Sequence, residues 1–116
     1  MEIFNSTKKT FLAKKALIAK SFFSRLIGLM GRSHLDHEEA LVIPGCQAIH
    51  MFFMKFAIDA VFVDKKGYVV GIIKSLRPFA LSPIFFKANS VIELPAGTIE
   101  KSRTEIGDQI EIQNLS

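Results

Sequence analysis

The apolar positions of this chain change period several times, and each change marks an element. Ile3-Phe4 followed by polar Asn5 to Lys9 reads as a short strand and a turn, and Thr10 to Ala19 as a second strand. From Ser21 to Arg32, Phe22, Phe23, Leu26, Ile27, Leu29 and Met30 recur at three- and four-residue spacing, which predicts an amphipathic helix over 21–32. Ser21 suits its N-cap, and Gly31 with Arg32 suits its end. Glu39 to Ile43 reads as a strand stopped by Pro44-Gly45. Ile49 to Met54 reads as another, with His50, Phe52 and Met54 on one side and Met51 and Phe53 on the other. Ile58 to Asp64, Lys65-Lys66-Gly67 and Tyr68 to Lys74 form the clearest hairpin pattern. Ser90 to Leu94 adds a strand, Thr98 to Thr104 a short helix and Gln109 to Gln113 a final strand.

Turn signals at Pro44-Gly45, Lys66-Gly67, Pro78, Pro83, Ala96-Gly97 and Gly107-Asp108 punctuate the chain at intervals typical of a strand-rich fold. The expected class is α+β: a compact antiparallel-rich small β-barrel or curled sheet carrying one principal helix (21–32) and a short second helix (98–104). At 116 residues the chain suits a single domain spanning 1–116. The stretch from Ala40 to Val63 is apolar enough to imitate a membrane span, but Pro44-Gly45, Gln47 and His50 break it. It reads better as buried strands in succession, so no transmembrane span is expected.

With 49% hydrophobic and 22% charged residues, neither disorder nor a disulfide-stapled miniprotein fits, and Cys46 alone permits no intrachain disulfide. The net charge of +4 is modest but uneven. Lys8, Lys9, Lys14, Lys15, Lys20, Arg25 and Arg32 occupy positions 3 to 35 with no carboxylate until Asp36. Such a face suits phosphate backbones or anionic headgroups, or simply a solvated sheet edge on which Lys14 and Lys15 discourage pairing. Lysines also interrupt every apolar run that could serve a secretory signal, so a cytoplasmic location is expected.

Candidate chemistry is sparse. Asp59 and Glu93 stand inside apolar strands, where each needs a cation, backbone amides or a ligand. One arrangement would bring both together with His50 and Arg25 in a polar pocket; the other keeps them as structural pairs or turns them outward. Cys46 and His50 are too few for a structural zinc site and lack a regular geometry for a nucleophile–base pair, so no metal or cofactor is expected. Neither a phosphate-binding glycine loop nor a Gly-x-Ser-x-Gly elbow is present. Arg77 to Phe86 contains two prolines among large apolar residues and reads as a hydrophobic loop that folds over the sheet, rims a pocket or meets a partner.

The order of motifs is more specific than any one of them. Arg25-Leu-Ile-Gly-Leu-Met-Gly-Arg32, His50 through Asp64, Val91-Ile-Glu-Leu-Pro-Ala-Gly97 and Gly107-Asp108 together resemble the bacterial and archaeal family called domain of unknown function 192, from about Ala19 to Ile112. The resemblance implies a β-rich α+β fold with central strands at Ile58-Asp59 and Glu93-Leu94 and a turn at Pro95 to Gly97. It implies no established activity. Where the family often has Trp-Met-Lys-Asn, this chain has Phe53-Met54-Lys55-Phe56. By matching position, Arg25, His50, Met54, Asp59, Glu93 and Gly97 are the candidate ligand-binding residues.

The leading expectation is a small binding or accessory domain with a pocket for a small polar ligand or a peptide, flanked by the Pro78 to Phe86 loop. The alternatives are an enzyme using Asp59 or Glu93 as general base with His50, and nucleic-acid or anionic-surface binding through the basic N-terminal face.

Overall fold

The computed structural model describes residues 1–19, 34–51 and 54–113. The expected helix over 21–32, and Arg25 with it, lies outside the described residues, as do Phe52 and Phe53. The described elements are mostly strand: β1 (Glu2–Asn5), β2 (Thr10–Ala13), β3 (Lys15–Ile18), β4 (Glu39–Pro44), β5 (Ile58–Val63), β6 (Val69–Leu76), β7 (Ser90–Pro95) and β8 (Ile110–Gln113), with one short helix, α1 (Thr98–Ser102).

They form two sheets, β2-β1-β8 and β3-β4-β7-β5-β6. All pairings are antiparallel except β3 with β4. The expected Thr10–Ala19 strand is split at Lys14, and its halves enter different sheets. The corner is pinned by Glu38, whose carbonyl accepts the N–H groups of both Lys14 (3.0 Å) and Lys15 (2.9 Å). Lys15 therefore lies on an edge strand, as its charge suggested.

Of the two expected forms, small barrel or curled sheet, the described residues show no closed barrel. At the far side, β6 and β8 approach through an isolated bridge, Tyr68 with Gln109, rather than a ladder. The chain reverses at Gly107 and Asp108, whose backbone groups bond Val69, so the two strand ends touch without closing the wall.

Strand alternation divides the apolar side chains between the two faces of the five-stranded sheet. On one face Val61, Val63, Ile92 and Leu94 join Ile3, Leu12, Ile99 and Ile110, packing the three-stranded sheet and α1 against it. On the other, Ile58, Ala60, Phe62 and Val91 join Ile43, Ile49, Met51 and Met54.

The expected strand over 49–54 is also corrected. The segment 47–51 runs antiparallel to 79–86 as an irregular ribbon: Phe79 N–H donates to Met51 O, Met51 N–H to Ala80 O, Ser82 N–H to Ile49 O and Phe85 N–H to Gln47 O. Among the described residues of the segment, regular pairing is confined to the His50–Leu81 bridge. Pro83, and the left-handed backbone at Phe79 (φ 64°) just after Pro78, deny the partner segment a continuous ladder. The ribbon is clamped to the sheet by Phe85, whose ring lies 4.4 Å from that of Phe62 and fills the space a side chain at Gly71 would take.

Candidate functional site

Asp59 shows how the sequence builds local structure around a buried carboxylate. Opposite it, the β5–β6 ladder slips: Ile58 pairs with Leu76 but Ala60 pairs with Ile73, leaving Lys74 and Ser75 against a single residue. This is a β-bulge, and Ser75 adopts φ 53° within it. The displaced Ser75 N–H donates to Asp59 Oδ1 at 2.9 Å. Asp59 Oδ2 accepts two more bonds, from Gly97 N–H (3.0 Å) and Ile99 N–H (2.9 Å). Gly97 is the N-cap of α1 and has no side chain to cap it. Asp59 supplies that cap from a neighbouring strand. The carboxylate is 0% exposed and joins the bulge, the turn after β7 and the start of α1.

Glu93 is equally buried but lies elsewhere. In the β5–β7 register Asp59 faces Leu94, and Glu93 faces Ala60. Paired residues share a face, so Asp59 belongs with the α1 side and Glu93 with the opposite side, among Ala60 and Leu41. Met54 is buried on that second side too. His50 is half-buried in the ribbon opposite Leu81. Among the described residues every buried side-chain nitrogen and oxygen has a hydrogen-bond partner. The register thus places Asp59 and Gly97 on one side of the sheet and Glu93 on the other, with Met54 buried on that second side and His50 in the ribbon that covers it.

A groove not anticipated from the sequence lies on the Asp59 side. It encloses about 580 Å³ between β2 and α1. Phe11, Leu12, Ala13, Pro95 and Ala96 give it apolar walls, and Lys14, Lys101, His37 and Glu38 contribute polar groups. Gly97 and Thr98 form one side, so Asp59, by holding Gly97 and Ile99, fixes that wall. Lys14 lies 5.2 Å from the Phe11 ring centroid, close enough for a cation–π contact that places its charge at the rim. The signals for this groove were the Glu-Leu-Pro-Ala-Gly turn and the Lys14 break. Neither showed that β2 and α1 meet.

The basic N-terminal face is partly neutralised within the fold. Lys8 Nζ sits 2.9 Å from both Glu105 and Asp108. Its hydrogen bonds to Asp108 and Glu105 raise its pKa above the ordinary 10.5. Burial pushes the Asp108 carboxyl upward, but hydrogen bonds from Asn5, Lys8 and the Glu105 backbone, with the Lys8 charge, outweigh it and hold the group below 3.8. Asn5, fully buried, donates to Thr104 and Asp108 and accepts from Lys8 N–H, tying β1 to the turn before β8. Cys46 donates its S–H to Ala48 O at 2.9 Å.

Two crystal structures share this architecture. A protein of unknown function from Novosphingobium aromaticivorans superposes with a TM-score of 0.79 at 20% identity, over 96% of this chain and 82% of that one. A Sinorhizobium meliloti protein provisionally described as a transcription regulator gives 0.78 at 19% identity, over 95% and 89%. Those identities speak to the fold. In sequence, the UPF0127 protein of Thermococcus sibiricus is 34% identical, covering 94% of this chain and 73% of that protein. The UPF0127 protein of Pyrococcus abyssi is 33% identical, covering 94% and 95%. The motifs that fix the Asp59 junction all fall within residues 3–112, which match the DUF192 model (Uncharacterized ACR), and the chain belongs to that family.

Proposed function

We propose that this chain is a one-domain, cytoplasmic, non-catalytic binding protein whose β2–α1 groove takes a small ligand or extended peptide end bearing a carboxylate. The groove itself carries the reading. Its volume of about 580 Å³ lies in the range of ordinary ligand sites, with apolar walls and a few polar groups. Lys14 and Lys101 favour an anionic group there, with Glu38 the one carboxylate among the lining residues. Asp59 and Gly97 act as positioning residues for the wall.

Acid–base chemistry draws less support. Asp59 already accepts three backbone N–H bonds and has no exposed surface, which leaves no path for a proton to or from a substrate. Nucleic-acid binding through the N-terminal face is weakened by the engagement of Lys8 with two carboxylates.

The test is a titration of isotope-labelled protein with short peptides ending in a free carboxylate, alongside their amidated counterparts. Amide shifts at Thr10–Lys14 and Ala96–Lys101 that weaken at least about tenfold in Lys14→Glu/Lys101→Glu are expected. Amidated and free peptides binding alike, or no shifts along the groove, would overturn the reading.

A further inference from the structure

The ribbon that covers the second face carries apolar side chains the core does not use. Phe79 is 63% exposed, Leu81 66%, Ile84 56% and Phe86 78%. Fraying does not account for this, because the backbone between them is anchored. Ala80 O, Ser82 N–H and Phe85 N–H bond the 47–51 segment, and Gln47 Nε2 donates to Phe86 O at 2.8 Å. Ser82 Oγ accepts the Ile49 N–H, and the Phe85 ring is packed on Phe62. Inward anchors therefore hold the large apolar neighbours outward, and Pro78 and Pro83 stiffen the segment further. An apolar surface of this kind, on a rigid loop, marks a contact site.

Charge identifies what it contacts. Neither limb of the ribbon contains a carboxylate: there is none from Ala40 to Ile58, and none from Lys65 to Ile92. Lys55, Arg77 and Lys87 are all exposed there. Two of these three are lysines, which protein interfaces tend to exclude. Lysines suit a lipid surface, where the aliphatic stem lies along the acyl boundary and the ammonium reaches phosphate.

We propose that the 77–87 segment docks this protein onto an anionic lipid bilayer, with Phe79, Leu81, Ile84 and Phe86 entering the headgroup region and the surrounding cations meeting lipid phosphates. No described helix is long and apolar enough to cross a membrane, and the proposed attachment is a peripheral one through the segment's side chains. It uses the opposite side of the five-stranded sheet from the groove and is independent of what the groove binds.

Vesicle co-sedimentation tests this with the intact chain, comparing pure phosphatidylcholine vesicles with ones containing about 30 mol% phosphatidylglycerol. Wild type is expected to sediment with the anionic vesicles, and binding is expected to fall at least about tenfold at about 0.5 M salt. Leu81→Asp/Phe86→Asp and Arg77→Glu/Lys87→Glu are each expected to abolish it, while urea midpoints confirm that both remain folded. Lys14→Glu/Lys101→Glu, which alters the groove, is expected to retain at least about half of wild-type binding. The proposal falls if wild type ignores anionic vesicles at low salt. It falls equally if the folded loop variants bind as wild type does. Loop-dependent self-association in place of vesicle binding, read by light scattering, would assign the surface to a second copy of the chain instead.

Discussion

Asp59 and Glu93 sit on adjacent strands, both without exposed surface, yet a one-residue offset in register sends them to opposite faces of the sheet. On the Asp59 side the carboxylate is absorbed by backbone, and the sheet is closed by α1 and the three-stranded sheet. On the Glu93 side the cover includes an irregular ribbon pinned by hydrogen bonds and one aromatic ring, with large apolar residues left outward. One face thus uses its charge to lock geometry. The other keeps its apolar surplus for contact.

The largest effect should come from breaking the first arrangement. Asp59→Ala strands three backbone N–H groups and uncaps α1, and is expected to cost about 4 kcal/mol in urea unfolding. Asp59→Asn keeps one acceptor oxygen but turns an NH₂ toward donors, and should cost about 2–3 kcal/mol. Combined with Glu93→Gln it sharpens the contrast between faces. If the sheet separates the two groups, the double variant is additive within about 0.5 kcal/mol, and a larger coupling would show that they share a network.

Gly71→Ala attacks the second face. An added Cβ would overlap the Phe85 ring, so the ring must leave its seat on Phe62. A loss of about 2 kcal/mol is expected, together with faster proteolysis between Arg77 and Lys87. Stability loss without a change in cleavage would show that Phe85 is not what clamps the ribbon.

These contrasts explain what the sequence revealed. The hairpin of β5 and β6, the strand at Ser90 and the helix after Gly97 were legible because their periodicity and turn residues agree. Ile49 to Met54 misled because its alternation matches a strand, and alternation says nothing about whether the partner can pair. That partner carries Pro78 and Pro83, a conflict between segments 30 residues apart. The split at Lys14 depends on Glu38 arriving at the corner, and the opposite facing of Asp59 and Glu93 depends on register, neither of which is local. Asp59 and Glu93 were recognisable as carboxylates inside apolar strands that would need partners if buried, with an outward-facing arrangement left open. That those of Asp59 are backbone amides emerges only with the bulge at Ser75 and the bare N-cap at Gly97.

A second fastening on the Asp59 side predicts a pH dependence. The Asp108 carboxyl titrates below its ordinary value when folded, so its contribution is complete above the unfolded pKa and disappears as pH falls through the folded one. Lys8 has the opposite sign: its contribution holds below 10.5 and is lost as pH rises through its raised folded value. Asp108→Asn should cost about 1–2 kcal/mol at neutral pH, and the gap from wild type should close as pH falls through the lowered folded value. A gap that persists in acid would mean Asp108 acts through its shape and not its charge.

The smallest expected effect separates conformation from contact at the groove wall. Gly97 holds φ 99°, and an added Cβ would meet nothing within 4 Å. Gly97→Ala is therefore opposed by backbone strain alone, about 1 kcal/mol. Its N–H need not move, so the bond to Asp59 should survive and the variant should stay folded with the wall of the groove slightly displaced. Amide hydrogen exchange at Ile99 reads the outcome: protection reduced in proportion to the global loss means the cap is intact, whereas selective loss at Ile99 means that Asp59 can hold the start of α1 only when residue 97 is free to take a left-handed turn.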